Sequence, residues 1–384
     1  MAIFISVLLI GVCCIIIWRA SDGFEAASEY LGRNLSDGVR GATINAIGSS
    51  MPELFTTLFF LFVLQDRDGF AGGIGTTAGS AIFNGMIIPA VVILVVVFKG
   101  MATSVNVSRK VLMRDGIALL LCELILIFLI GGDELTWVHG VILMAMYAVY
   151  AIYMLKTMTK GEGGDDDDDE DDDDEDGESK GLLVSMLTLD LENVFVRNGI
   201  NTGNAWAMLL VAMTIIGSAC FLLVHSCEML GDALGIPIYF IAVILASAAT
   251  SVPDTILSMK DAQKGNYDDA VSNALGSNIF DVCFALGFPL FIFTLIYGPI
   301  TMSPETVINI AELRILLLIL TLFAFFIYIG GKSMGRLSAF LLLLIYFVFT
   351  MYILGRAVDS SAANEVSIWL RNINDIIDSL RFWK

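Results

Sequence analysis

Charged residues are scarce in this 384-residue chain. They make up 16% of it, and hydrophobic residues make up 57%, whereas a soluble domain carries roughly 25% charged residues. A soluble core of this length does not need so much apolar surface. The composition therefore excludes an ordinary soluble enzyme and predicts a protein that crosses a membrane several times.

Histidine is also scarce, and paired cysteines and basic clusters are lacking. The two histidines and six cysteines include no CxxC pair, so they cannot complete a zinc site. A basic footprint for nucleic acid is absent, and the net charge of −19 comes mostly from one run of twelve acidic residues at 165–176. We therefore expect no nucleic-acid partner, no covalently bound cofactor and no enzymatic activity.

Long apolar runs predict an all-α polytopic membrane protein. A hydrocarbon core of about 30 Å needs about 20 apolar residues per helix. The first run lacks the basic start and the cleavage site of a signal peptide, so it is predicted to be a retained span. The ten predicted transmembrane helices are 1–18, 38–64, 72–98, 111–131, 135–156, 205–229, 237–261, 269–297, 311–330 and 336–355.

One long connection divides the chain into transmembrane halves at 1–156 and 205–355. This connection, 157–204, holds the acidic run, which repels itself and is predicted to be a solvated tether; a weak Ca²⁺-collecting tract is the alternative. With the N-terminus outside, fifteen Lys and Arg fall on the cytoplasmic side and six outside, so the acidic loop is predicted to be cytoplasmic, in a plasma or inner membrane. The tail, 356–384, mixes apolar and charged residues and is predicted to be an amphipathic helix at the membrane surface.

Two short motifs occur once in each half. GSSMPELFTT at 48–57 matches ATSVPDTILS at 249–258, and GSAIFN at 79–84 matches GSNIFD at 276–281. The offsets, 201 and 197 residues, agree within a loop difference. Because each half holds five predicted spans, an odd number, the second half enters the membrane from the opposite side. This is the inverted-repeat plan of secondary transporters.

Three carboxylates, Glu53, Asp254 and Asp281, fall near the middle of predicted spans. A charge at the bilayer centre costs roughly 3 kcal/mol or more, and the most direct use of such groups is to bind cations. Hydroxyls and an amide share their helix faces at spacings of three and four residues, and Pro52 and Pro253 free backbone carbonyls one turn earlier. The candidate oxygen ligands are Glu53, Asp254, Asp281, Asn84, Ser50, Ser251, Ser80, Ser277, Ser49 and Thr250, with the carbonyls of Gly48 and Ala249.

An all-oxygen ligand set of this kind suits hard cations. Ca²⁺ takes about 6–8 oxygens at ~2.3–2.6 Å, and Na⁺, of similar radius, can use the same atoms. The absence of soft ligands argues against zinc and copper. A site that binds either ion, but not both fully, supports exchange. For each hydroxyl the competing interpretation is a bond to its own helix backbone.

The matched motifs carry a family resemblance. GATINAIGSSMPEL at 41–54 and ASAATSVPDTILS at 246–258, with GSAIFN and GSNIFD, closely resemble the two alpha-repeats of sodium/calcium exchangers, within the cation/calcium exchanger superfamily. The alpha-1 motif would span 41–98 and the alpha-2 motif 237–297. The resemblance implies ten transmembrane helices, alternating access, and exchange of Na⁺ for Ca²⁺ at one central site.

The resemblance also implies a role for each matched residue. Glu53 and Asp254 would be the main Ca²⁺ ligands, and Thr250 would lie at the flexible part of span seven, with Ser49 as its counterpart. The Na⁺ ligands would be Ser50, Ser251, Ser80, Ser277, Asn84 and Asp281, with backbone help from Gly48 and Ala249.

Some positions depart from the family pattern. Asp281 resembles the potassium-dependent branch, although some prokaryotic exchangers keep Asp without using potassium, whereas Ala81 resembles the potassium-independent animal branch. Asp281 therefore favours K⁺ transport and Ala81 argues against it, so the sequence leaves K⁺ transport open. The 157–204 connection is far too short for the calcium-binding β-sandwiches of animal exchangers.

Three other functions compete with Na⁺/Ca²⁺ exchange. An H⁺/Ca²⁺ antiporter would resemble GNxxE in place of GSSMPE and TSVPD. A cation channel with an acidic ring would give flux without a counter-ion. A membrane-anchored Ca²⁺ buffer would leave the intramembrane carboxylates unexplained. The expected partners are Ca²⁺, Na⁺ and the lipid bilayer, and a monomer suffices for the mechanism.

Overall fold

The structure is a computed structural model in which most described residues are helical. The acidic run at 165–176 and the start of the first motif, 41–45, lie outside the described residues. The described residues are 1–31, 33, 46–64, 69–132, 134–158, 182–196, 199–331 and 333–379.

The described helices of the first half match the predicted spans in number but not in length. The first continues to Leu31, so the predicted end at 18 is wrong. Arg19, Asp22 and Glu25 end the apolar run without ending the helix, because charged residues are compatible with a helix interior. The helices are α1 (Ala2–Leu31), α2 (the two pieces Ala46–Ser49 and Met51–Phe62), α3 (Gly69–Phe98), α4 (Arg109–Leu129) and α5 (Trp137–Met158).

The second half adds longer helices and a helical tail. Two short helices lie within the 157–204 connection, where no secondary structure was predicted, and one helix lies within the predicted tail. The helices are α6 (Leu182–Leu187), α7 (Leu191–Phe195), α8 (Thr202–Leu234), α9 (Ile238–Gln263), α10 (Tyr267–Tyr297), α11 (Pro304–Ile329), α12 (Arg336–Ala357) and α13 (Ser361–Ser379).

Capping residues explain where α8 and α11 begin. The Asn201 side chain accepts from the backbone N–H of Asn204, and the Asn204 side chain bonds back to the Asn201 N–H, which forms a capping box. At α11 the Ser303 hydroxyl accepts from the Thr306 N–H, and Pro304 occupies the first turn. Helix α11 therefore begins at Pro304, and the predicted start at 311 is wrong because it followed hydropathy alone.

By length and composition, eight of the described helices can cross a membrane: α1, α3, α5, α8, α9, α10, α11 and α12. The longer piece of α2 is apolar but has only 12 residues. Helix α4 carries Arg114, Asp115 and Glu123 within its apolar stretch. Two of the ten predicted spans, 38–64 and 111–131, therefore do not qualify on these criteria.

Burial distinguishes inner helices from outer ones. Helices α3, α9 and α10 are the most buried of the membrane-length helices, whereas α1, α5 and α12 are among the least. Helix α1 packs along α8. One face of α12 exposes Leu337, Phe340, Leu344, Phe347 and Met351, an apolar stripe at helical spacing that suits contact with lipid.

Short β contacts join loops of the two halves. Strand β1 (Glu134–Leu135) pairs antiparallel with β2 (Ile300–Thr301), and Val105 forms an isolated antiparallel bridge with Met334. The motif-bearing helices α2, α3, α9 and α10 pack against one another between these loops. The fold thus brings both copies of the repeated motifs to the centre of the bundle.

Candidate cation-binding site

Both copies of the first motif break their helices at the same point. Ser50 has φ −93° and ψ 7°, and Ser251 has φ −80° and ψ 2°, values that interrupt a regular helix. Pro52 and Pro253 follow two residues later and lack the N–H that would continue the ladder of backbone hydrogen bonds. Each break therefore precedes a short helix whose first turn carries an acidic residue.

Those acidic residues are Glu53 and Asp254, and both are fully buried. Each is contacted by a serine from the second motif of the same half. The Ser80 hydroxyl lies 3.1 Å from Glu53 Oε1, and the Ser277 hydroxyl donates to Asp254 Oδ2 at 2.9 Å. The equivalent residues of the two halves therefore make equivalent contacts.

The two halves also meet through serine pairs. The hydroxyl of Ser50 bonds to that of Ser277, and the hydroxyl of Ser80 lies 2.8 Å from that of Ser251. Each pair joins the helix break of one half to the second motif of the other. All four serines are fully buried.

An amide and a third carboxylate complete the contacts between halves. Asn84 Nδ2 donates to Asp254 Oδ2 at 3.1 Å, and the Ser80 hydroxyl lies 2.9 Å from Asp281 Oδ2. Asp281 begins a π-helical turn, Asp281–Ala285, which interrupts α10. Such turns are rare and often occur at functional sites.

The remaining predicted residues lie around this cluster. Ser49 lies beside the Asp254 carboxyl, and Thr250 beside that of Glu53. Gly48 and Ala249 are buried and precede the two helix breaks. All twelve predicted site residues therefore belong to one region of the bundle.

The oxygen atoms of this cluster outnumber the hydroxyl and amide hydrogens that can be donated to them. Glu53 Oε2, Asn84 Oδ1, Asp254 Oδ1 and Asp281 Oδ1 are buried and have no hydrogen-bond partner among the described residues. Buried polar atoms are normally paired. Within the described ranges, no Lys or Arg bonds to the three carboxylates. A cation is the kind of ligand that satisfies such a set.

The donor set combines carboxylates with neutral oxygens. Within the described ranges, no three His, Cys, Asp or Glu side chains are grouped as a metal site. A cation here would therefore depend on serine hydroxyls and the Asn84 amide as well as on carboxylates. Hydroxyl and amide oxygens are neutral hard ligands of the kind that Na⁺ and Ca²⁺ accept.

Two buried polar groups were not predicted. Asn278 Nδ2 donates to the carbonyl of Ala81 at 3.0 Å, and these are equivalent positions in GSNIFD and GSAIFN. The sequence offered one signal for this contact: the second motif has Asn278 where the first has Ala81. Asp115 is held by Arg114 and Ser272, with Oδ1 2.6 Å from Arg114 Nε; the sequence offered no comparable signal for that ion pair.

Comparison with known proteins agrees with this architecture. The sequence profile of the family described as sodium/calcium exchanger protein matches residues 5–156 and 204–355. The chain therefore belongs to the sodium/calcium exchanger protein family. It is an integral membrane protein, with eight described helices that are long and apolar enough to cross a membrane.

Individual relatives match either locally or along most of the chain. A stretch of 86 residues is 38% identical to sodium/potassium/calcium exchanger 3 of Rattus norvegicus, which covers 22% of this chain but only 14% of that relative. Another, of 79 residues, is 43% identical to sodium/potassium/calcium exchanger 5 of Homo sapiens and covers 16% of it. An uncharacterised membrane protein of Methanocaldococcus jannaschii is 25% identical over 319 residues, which cover 82% of this chain and 89% of that one.

Two kinds of solved exchanger share the fold. The sodium–calcium exchanger NCX_Mj matches with a TM-score of 0.55 and 21% identity, over 91% of this chain and 98% of that chain. The H⁺/Ca²⁺ exchanger CAX matches with a TM-score of 0.57 and 14% identity, over 98% and 92%. The same fold therefore accommodates exchangers that differ in counter-ion.

Proposed function

We propose that this protein exchanges Na⁺ for Ca²⁺ across its membrane by alternating access at the buried oxygen cluster. The observation that carries the proposal is the position of Ser80, whose hydroxyl lies 3.1 Å from Glu53 and 2.9 Å from Asp281. A hydroxyl has one hydrogen, so it cannot donate to both carboxylates at once. A cation shared by these oxygens resolves that conflict.

In this proposal Glu53 and Asp254 are the main Ca²⁺ ligands, because they are carboxylates placed equivalently in the two halves. The serines, Asn84 and Asp281 hold Na⁺, and the Gly48 and Ala249 carbonyls assist. Ca²⁺ and Na⁺ then compete for overlapping oxygens. Exposing unneutralised carboxylates to a dry interior is costly, so the protein switches sides readily only when a cation is bound.

The proposed topology is ten transmembrane helices in two inverted five-helix halves, 1–156 and 205–355. The equivalent helix breaks at Ser50 and Ser251 support it, and so does the match of one family profile to each half. In this arrangement α2 and α4 supply the two additional spans. The charge on Asp115 in α4 is accommodated by its contacts with Arg114 and Ser272.

The test is transport in reconstituted vesicles loaded with Na⁺. We expect uptake of ⁴⁵Ca²⁺ to require the outward Na⁺ gradient. We expect Glu53→Gln and Asp254→Asn to abolish it, because each removes a negative charge that Ca²⁺ needs. The control for folding is that each variant is recovered in the membrane fraction and elutes like the wild type in size-exclusion chromatography.

The same assay separates the alternatives. Uptake that is indifferent to internal Na⁺ would contradict the proposal. A requirement for a proton gradient would favour an H⁺/Ca²⁺ antiporter, and flux without any gradient of counter-ion would favour a channel.

Co-transport of K⁺ is a second candidate. It is favoured by Asp281, which lies 2.9 Å from Ser80 inside the cluster, and by the local identity to sodium/potassium/calcium exchangers. If K⁺ is carried, ⁴⁵Ca²⁺ uptake will need K⁺ on the Ca²⁺ side, and Asp281→Asn will remove that requirement. Equal uptake in K⁺ and in choline would exclude K⁺ co-transport.

A further inference from the structure

A crevice separates α1 from α9 and reaches the edge of the oxygen cluster. Its α1 wall is formed by Trp18, Ser21, Asp22 and Glu25, and its inner end by Ser49. Ser49 lies beside the Asp254 carboxyl. The crevice therefore connects two acidic side chains of α1 with the candidate cation site.

A lysine from α9 contacts two partly exposed carboxylates of the crevice wall, which mark the mouth of the crevice. Lys260 Nζ lies 2.9 Å from Asp22 Oδ1 and 3.9 Å from Glu25 Oε2. The Lys260 side chain is 48% exposed, and those of Asp22 and Glu25 are 35% and 25% exposed. Ion pairs this close to solvent are weak, so the ammonium can be displaced from the two carboxylates.

A buried hydroxyl inside the crevice points independently to a ligand. Ser21 is 7% exposed and lines the crevice, and its Oγ atom has no hydrogen-bond partner among the described residues. A buried hydroxyl without a partner is uncommon. Together with the Asp22 and Glu25 carboxylates it supplies hard oxygen ligands on one helix wall.

We propose that Ser21, Asp22 and Glu25 form a second cation site at the mouth of this crevice, and that the ammonium of Lys260 competes with the transported cation for it. The site would take Ca²⁺ or Na⁺ on its way to or from Ser49. Lys260 thereby acts as a tethered cation that closes the crevice until a free cation replaces it. This role rests on the proposed exchange function, but binding at the mouth is measurable without transport.

The experiment uses Tb³⁺, which occupies Ca²⁺-type oxygen sites and luminesces when a nearby indole is excited. Trp18 lines the crevice, so the signal that is lost in Trp18→Phe reports on this site rather than on the other four tryptophans. The full-length protein in detergent is titrated with Tb³⁺ as wild type, Lys260→Met, and the double variant Asp22→Asn/Glu25→Gln. The matched control is Lys99→Met, since Lys99 Nζ bonds to Gln263 at the same end of α9 and lies outside the crevice lining.

We expect Lys260→Met to lower the half-saturating Tb³⁺ concentration of the Trp18-dependent signal by about two- to fivefold, the range of an exposed ion pair. Lys99→Met should leave it unchanged, and the double variant should raise it by about tenfold or more. Equal shifts in Lys260→Met and Lys99→Met would overturn competition by Lys260. An unchanged signal in the double variant, folded by circular dichroism, would overturn the site itself.

Transport then separates this proposal from the exchange function. If the Tb³⁺ results hold but no variant or wild type exchanges Na⁺ for Ca²⁺, the exchange function fails and the mouth site stands. If exchange is intact and the Trp18-dependent signal is absent in wild type, the mouth site is wrong and the exchange function stands.

Discussion

At the scale of single residues, the Ser80 side chain contacts four other residues of the cluster. Its hydroxyl lies near Glu53, Ser251 and Asp281, and Asn84 Nδ2 approaches it at 3.4 Å. Thr57, in contrast, donates to the backbone carbonyl of Glu53 in its own helix at 2.8 Å. Both hydroxyls are therefore near Glu53, but that of Ser80 contacts the side chains of the cluster, whereas that of Thr57 bonds to the backbone of its own helix.

This difference makes Ser80→Ala and Thr57→Val a matched pair. Loss of one partner from a buried charged network costs about 1–3 kcal/mol, so Ser80→Ala should raise the Na⁺ concentration needed for half-maximal exchange by about tenfold. Thr57→Val keeps the side-chain shape and should change it by less than about twofold. Half-maximal Na⁺ from ⁴⁵Ca²⁺ exchange is the measurement, and equal effects of the two substitutions would contradict the assignment.

At the scale of helices, the contact between α3 and α9 holds the cluster together. Gly79, next to Ser80, faces a π-helical turn of α9, Ala242–Ala246. A Cβ atom on Gly79 would overlap the Val243 carbonyl oxygen and would lie 2.9 Å from the Ser247 side chain. The close approach therefore requires glycine.

Gly79→Ala should push α3 away from α9 and displace Ser80. We expect it to abolish exchange and to lower the free energy of unfolding by about 1–3 kcal/mol, the usual cost of overpacking. Gly85→Ala on the same helix is the control, because its Cβ atom would meet only Asn278 Nδ2 at 3.7 Å, an ordinary contact. Thermal unfolding in detergent measures the stability of the two variants, and ⁴⁵Ca²⁺ uptake measures their exchange activity. A Gly79→Ala variant that still exchanges would show that this contact is dispensable.

Sequence reasoning succeeded for these helices where a pattern was repeated and failed where it was not. The repeated motifs GSAIFN and GSNIFD lie in α3 and α10, which pack together, and four of their residues contact the opposite half: Ser80, Asn84, Ser277 and Asp281. Their role as cation ligands stays a prediction. The π-helical turns were not foreseen, because hydropathy does not distinguish an α-helix from a π-turn. The Lys260 ion pairs depend on how α1 and α9 pack, which no single-sequence pattern encodes.

At the scale of the whole molecule, we predict separate roles for the motif-bearing helices and for the connection between the two halves. The motif-bearing helices α2, α3, α9 and α10 contact one another directly, whereas the acidic run at 165–176 belongs to the predicted connection, outside the described residues. That the run lies in the cytoplasm and acts as a tether stays a prediction. Electrostatic attraction by it extends only about one Debye length, ~8 Å in physiological salt.

Deletion of 165–176 should therefore leave exchange intact. Replacement of the same twelve residues by a Gly/Ser linker of equal length is the control, since it removes the charge and keeps the reach of the chain. The measurement is ⁴⁵Ca²⁺ exchange in vesicles over a range of Ca²⁺ concentrations. Loss of all exchange in the folded deletion variant, with exchange retained in the linker variant, would mean that length matters; loss in both would give the charge an essential role.

The contact between Asn278 and the Ala81 carbonyl joins one position of a motif to its own counterpart in the other half. Two identical half-length chains would carry the same side chain at both places, and two asparagine amides would then compete for the same space. One covalent chain can place asparagine on one side and alanine on the other. Fusion of the halves thus permits the two equivalent positions to differ, so that one contributes a donor amide and the other a small side chain with its backbone carbonyl.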